Sequence, residues 1–211
     1  MTDGYVTLHK PAKTEDQPML VLLHGTGGDE VSFAELGRMI APEAGLLSVR
    51  GDVDEMGHAR FFRRRAEGVY DMDDLAYRTG KLAGFLTKTT HQLGIETDRL
   101  VGIGYSNGAN ILANLLMTRP DLLRRAVLMH PLIPFEPAPQ PDLANADVLI
   151  TAGRNDPISP LALTQRLADW FRAQGAKVNL ALHDGGHQLL PQEIDAARTL
   201  VDRMHETRAI A

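Results

Sequence analysis

The sequence predicts an α/β fold: a three-layer αβα sandwich around a mostly parallel sheet of about seven strands. Two observations carry the prediction. Short apolar runs alternate with longer stretches of helical periodicity, the rhythm of successive βα units. Several of the short runs are apolar throughout, as strands covered by helices on both faces must be. With 211 residues, 44% hydrophobic and 23% charged, and no shift of composition along the chain, residues 1–211 read as one domain.

The strand candidates, in order, are Tyr5–Leu8, Met19–Leu23, Gly45–Val49, Leu100–Gly104, Arg125–Met129, Val148–Thr151 and Val178–Leu182. A short helix is expected over Phe33–Ile40. Leu75, Leu82, Leu86 and Leu93 recur at helical spacing until Gly94 stops the run. Asn107 to Thr118 carries Ile111, Leu112, Leu115 and Leu116 and ends before Pro120. Pro160 opens a helix with Leu163, Leu167 and Trp170 on one face, closed by Gly175. Pro191 opens the last, with Ile194, Ala197, Val201 and Met204 inward.

Two segments break the rhythm. Arg50–Asp74 is too long for an ordinary connection, and His130–Ala146 carries prolines at 131, 134, 137, 139 and 141. Both follow strands. Ligands of open α/β sheets bind beyond the carboxyl ends of strands, so both segments are candidate pocket walls.

Composition excludes several functions. There is no cysteine, hence no disulfide, thiol nucleophile or thiolate metal site. The formal charge of −5 argues against a polyanion, and the arginines at 60, 63, 64 and 65 are answered by Asp52, Asp54, Glu55, Glu67, Asp71, Asp73 and Asp74. No nucleic-acid partner is expected. No apolar run reaches the roughly 18 residues of a membrane span. The first residues lack a signal-like core, so the expected location is cytoplasmic.

The chemistry centres on Gly104-Tyr105-Ser106-Asn107-Gly108, a G-x-S-x-G pattern between a strand and a helix. Small residues at 104 and 108 let strand and helix approach, lifting the Ser106 hydroxyl above the sheet. A serine nucleophile needs a base, and the base needs an orienting carboxylate. Asp156 in LITAGRNDPIS and His187 in ALHDGGHQL each follow a strand, in the order this arrangement requires. Asp184 is the alternative acid and His183 the alternative base, while Asp147 precedes its strand and would face the wrong end. An oxyanion needs amide donors. Asn107 N–H is one candidate. The Gly-rich turn LLHGTGGDE offers Thr26 N–H as the other, with Gly27 in reserve and His24 as a support of the loop. A phosphate loop is disfavoured because no lysine occurs between Lys13 and Lys81. The histidines at 9, 24, 58, 91, 130, 183, 187 and 205 form no close ligand motif, so no metal is expected.

Four motifs resemble a known family: LHGTGGDE, SVRGDVDEMGHARFFRRRAEGVYDMDDL, GYSNGANI, and AGRNDPISP with its distal DGGHQL. The chain resembles α/β-hydrolases of the phospholipase/carboxylesterase group, related to acyl-protein thioesterases. It is closest to small bacterial esterase-like hydrolases associated with hydroquinone or catechol dioxygenases. The resemblance implies a triad of Ser106, Asp156 and His187, an oxyanion hole of the Thr26 and Asn107 amides, a minimal cap, no cofactor, and a homodimer acting on a small-molecule ester. The better-known thioesterases have glutamine where Asn107 stands, which weakens a thioester preference. Thioesterase or lysophospholipase-type hydrolysis is the alternative within the class. A catalytically silent binding protein is the alternative outside it. Phe61, Phe62, Arg63, Arg64 and Tyr105 are the candidate substrate contacts.

Overall fold

The computed structural model describes residues 4–209. Its centre is a seven-stranded sheet made of β1 (Thr7–Lys10), β2 (Met19–Leu23), β3 (Gly45–Val49), β8 (Leu100–Tyr105), β9 (Arg125–Met129), β10 (Asp147–Gly153) and β11 (Lys177–His183). The spatial order is β1-β3-β2-β8-β9-β10-β11; β1 pairs antiparallel and the other pairs are parallel. Leu20 and Leu22 pack on one face with α1 (Glu30–Ile40) and α5 (Pro191–Ala209). Val21 and Leu23 pack on the other with α2 (Met72–Leu93), α3 (Asn107–Thr118) and α4 (Leu161–Ala173). Burial on both faces is why β2, MLVLL, can be apolar at every position.

α1 and α2 carry their own boundary signals. The Asp29 carboxylate accepts from the Val31 and Ser32 amides at the start of α1, and Asp71 accepts from Asp74 N–H at the start of α2. Gly94 ends α2 in the left-handed conformation, φ 64°.

Where the observed boundaries differ from those expected, the causes are local. β1 begins at Thr7 rather than Tyr5, because an edge strand with one antiparallel partner has a weak burial pattern. The buried face of α4 is Thr164, Leu167, Ala168 and Phe171, leaving Leu163 and Trp170 at its margin. Met204 lies outside the residues whose side chains are described.

The Arg50–Asp74 insert folds into two small hairpins, β4–β5 (Val53–Glu55, His58–Arg60) and β6–β7 (Arg64–Ala66, Val69–Tyr70). Its charges pair within the insert and onto α2: Arg64 with Glu55 at 2.9 Å and with Glu67, Arg78 with Asp52 at 2.9 Å.

Three asparagines one or two turns apart on α3 tether the surroundings. Asn107 Oδ1 accepts from Phe61 N–H of the insert at 2.7 Å, and Asn110 Oδ1 from Leu132 N–H of the proline-rich segment at 2.6 Å. Asn114 donates to Thr79 Oγ1 of α2 at 2.8 Å. Each bond satisfies polar groups buried beside the helix, which would be costly to leave unpaired.

Candidate active site

β8 ends at Tyr105, and Ser106 turns into α3 with φ 51° and ψ −115°, a strained conformation for a residue with a side chain. The turn is possible because nothing projects from its flanks. A Cβ on Gly104 would sit 2.6 Å from Gly108 O, and one on Gly108 would sit 2.0 Å from Leu23 O. Ser106 N–H is fixed to Met129 O at 2.8 Å.

His187 Nε2 lies 2.9 Å from Ser106 Oγ, and His187 Nδ1 lies 2.7 Å from Asp156 Oδ2. Asp156 Oδ1 accepts from the Ile158 and Ser159 amides at 2.8 and 2.9 Å. Burial pushes the Asp156 carboxyl up, but the Ser159 amide, His130, His187 and the Ile158 amide together hold it below the usual carboxylate range. Asp184 is exposed and paired with Arg154, and Asp147 opens β10 at the far end, so neither alternative acid reaches His187.

The Gly-rich turn after β2 stands over the serine. His24 is buried and braces it: Nε2 accepts from Gly51 N–H at 3.0 Å, and Nδ1 contacts Gly25 O at 2.6 Å. Burial holds His24 below its ordinary value, so the ring is neutral, with its proton on Nδ1. Gly27, the reserve donor, is ruled out because its N–H is spent on Ala59 O at 2.9 Å. Among the described backbone hydrogen bonds, neither Thr26 nor Asn107 N–H is committed elsewhere.

These residues open onto a cavity of about 270 Å³ lined by Thr26, Ser106, Asn107 and His187, and walled by Arg60, Arg64, Glu67 and Tyr70 of the insert with Leu132 and Ile158. The proline-rich segment therefore supplies one wall residue and the insert most of the rest. Phe61 and Phe62 are corrected as substrate contacts: both are fully buried, Phe61 against His24 and Phe62 against Tyr70. Arg63 is also corrected. It is exposed and absent from the wall, and its N–H is held by Asp74 at 2.7 Å. Arg64 does reach the wall, already paired with Glu55 and Glu67. Tyr105 lines the cavity and donates its hydroxyl to His187 O at 2.8 Å; burial and the nearby Asp156 and Glu193 push its pKa up to about 12.

Sequence reasoning missed two side chains behind Asp156. His130, at the end of β9, puts Nδ1 2.8 Å from Asp156 Oδ2 and Nε2 3.0 Å from Glu193 Oε1. Glu193, in the first turn of α5, also meets Thr151 Oγ1 at 2.5 Å, Leu190 N–H at 2.7 Å and His183 Nε2 at 3.2 Å. A signal existed: Glu193, Ala197, Leu200 and Val201 fall on one helical stripe, so a carboxylate sits in line with core residues. His130, His183 and Glu193 are close enough to chelate a cation, as are His130, Asp156 and His187. Their contacts are those of proton-sharing pairs, with carboxylate oxygens accepting from ring nitrogens.

A sheet in this order, with its serine raised on a strained turn beyond β8, is built as an α/β-hydrolase, and the chain is a hydrolase of that class. It belongs to the dienelactone hydrolase family, whose model matches residues 6–197. The chain is 42% identical over 190 residues to the "Putative hydrolase MhqD" of Bacillus subtilis (strain 168), covering 90% of this chain and 95% of the relative. A crystal structure of the protein Atu2452, of unknown function, from Agrobacterium tumefaciens str. C58 is 48% identical, with TM-score 0.89 over 97% of this chain and 99% of that one. The Bacillus cereus carboxylesterase is 39% identical, with TM-score 0.89 over 95% of this chain and 94% of that one. These agree with the esterase-like α/β-hydrolase resemblance carried by the motifs. No helix among the described residues is long and apolar enough to cross a membrane.

Proposed function

We propose that the protein is a serine carboxylesterase that hydrolyses small carboxylic esters through an acyl-enzyme. The supporting observation is the unbroken hydrogen-bonded line from Ser106 Oγ through His187 to Asp156 at the floor of a cavity. His187 takes the Ser106 proton as Oγ attacks the ester carbonyl, whose oxygen gains negative charge against the Thr26 and Asn107 amides. Asp156 holds His187 in the tautomer with Nδ1–H and stabilises the imidazolium. His187 then protonates the leaving alcohol, and water releases the acid by the same route in reverse.

The cavity favours short substrates. At about 270 Å³ it falls at or below the small end of ligand pockets, roughly 300–1,000 Å³, and Leu132 and Ile158 are its chief aliphatic contacts. Acetate and butyrate esters fit this better than long acyl chains. The similar Bacillus cereus protein is a carboxylesterase, which supports the same reading. Equilibrium sedimentation tests the homodimer that the resemblance implies.

Ser106→Ala is expected to abolish turnover of p-nitrophenyl acetate and butyrate while circular dichroism stays that of the native protein. A fluorophosphonate probe is expected to label Ser106 in the wild type. Turnover surviving in a folded Ser106→Ala protein would exclude the mechanism.

A further inference from the structure

The groups behind Asp156 form a buried chain of alternating charge. Four elements converge there: β9 brings His130, the β10–α4 loop Asp156, α5 Glu193, and β11 with its following loop His183 and His187. Tyr105 at the end of β8 faces the same cluster, its ring centroid 5.9 Å from that of His130. Hydrogen-bond roles fix the protons. His183 Nδ1 accepts from Gly185 N–H at 3.0 Å, so its proton is on Nε2, directed at Glu193 Oε2. Both nitrogens of His130 face carboxylate oxygens, at 2.8 and 3.0 Å, and carboxylates only accept. His130 therefore carries both protons.

We propose that His130, locked as a cation between Asp156 and Glu193, is a positioning residue that pins the Asp156 carboxylate and opposes the positive charge forming on His187. This rests on the reading of Ser106, Asp156 and His187 as the reacting groups. Three features support it. His130 and His187 share the single oxygen Asp156 Oδ2, while Oδ1 is held by two amides, so the carboxylate has no freedom to rotate. His130 is itself held hard: its backbone is left-handed, φ 51°, its N–H is bonded to Thr151 O and its C=O accepts from Ser159 Oγ. Burial would push His130 down, but its bonds to Glu193 and Asp156 outweigh that and hold it above its ordinary value. Glu193 is held below its own by His130, Thr151 and the Leu190 amide, against the upward push of burial. As His187 takes up the Ser106 proton, Asp156 stabilises the new charge and the His130 cation, with ring centroids 5.1 Å apart, opposes it.

His130→Asn tests this, since asparagine tolerates the left-handed backbone and can still donate to Asp156 but is neutral. The acid limb of kcat/KM for p-nitrophenyl acetate is expected to move to higher pH by about two units, the size of a lost unit charge at 5.1 Å with an effective dielectric near 20. The alkaline plateau is expected to survive at reduced height. A purely structural role would lower the whole profile without moving the limb, and that result overturns the proposal. In the wild-type protein at pH 7, nitrogen NMR is expected to find both ring nitrogens of His130 protonated, and a neutral His130 there overturns it equally. If the variant does not fold, the wild-type spectra decide alone. Failure of the fluorophosphonate probe to label Ser106 would instead sink the esterase reading and leave the charge state of His130 standing.

Discussion

Gly108→Ala should damage this protein twice over, because the new methyl meets backbone on a neighbouring strand. The added Cβ would lie 2.0 Å from Leu23 O, 2.5 Å from Leu23 C and 2.6 Å from His24 O. No side chain can swing away to relieve those contacts, so the start of α3 and the end of β2 must separate by about 1 Å. Overpacking of that kind costs about 3 kcal/mol, against which the better helix propensity of alanine returns less than about 1 kcal/mol. The same shift moves Ser106 and the Asn107 amide relative to Thr26, and a misplacement of about 1 Å can lower kcat/KM by about 100-fold. Gly84→Ala on α2 is the matched control: its Cβ meets nothing within 4 Å, so a gain of about 0.5–1 kcal/mol is expected, with unchanged turnover. Urea unfolding and p-nitrophenyl acetate kinetics on the two variants decide the matter. A Gly108→Ala protein as stable and active as the Gly84→Ala control would refute the reasoning from close approach.

Asn107→Ala should cost about 1–3 kcal/mol in urea unfolding by leaving Phe61 N–H buried without an acceptor, and should raise KM more than it lowers kcat because the insert wall loosens. A variant with wild-type stability would show that the bond carries no weight. Stability should also depend on pH in a way that identifies the buried pair. Asp156 and Glu193 are held below their ordinary values, so their share is complete above about pH 4.5 and drains as pH falls through the lower folded values. His130 is held above its ordinary value, so its share is complete below about pH 6.5 and is lost as pH rises through the higher folded value. The melting-temperature gap between wild type and His130→Asn should therefore be widest near pH 5–6 and narrow above it. A gap that widens into alkali contradicts the assignment of His130 as the raised group.

The sheet was readable because its physics is short-range. A strand buried on both faces reads as a nearly continuous apolar run, and Met19–Leu23, Gly45–Val49 and Arg125–Met129 coincide with the observed β2, β3 and β9. That Ser106, Asp156 and His187 would come together was readable because chain order and post-strand placement restrict where such groups can stand. The insert was not: its strands are two or three residues long and rich in charge, so neither length nor alternation marks them. Phe61 and Phe62 looked like a rim because aromatic residues beside a pocket can face either way, and only the packing of His24 and Tyr70 turns them inward. The partnership of His130 with Glu193 joins residues 63 positions apart, and no local pattern records it.

The three asparagines of α3 bear on how such a hydrolase can change its diet. Insert, proline-rich segment and α2 are each fastened to the same rigid rod by one side-chain amide, while the serine stands at the rod's tip. A replacement segment that merely offers one N–H or hydroxyl at the right height can be accepted without re-machining the elbow. The walls of the cavity are thus interchangeable panels on a fixed frame, and loop grafting that preserves the Asn107 and Asn110 anchor points is the route by which new ester preferences could be installed.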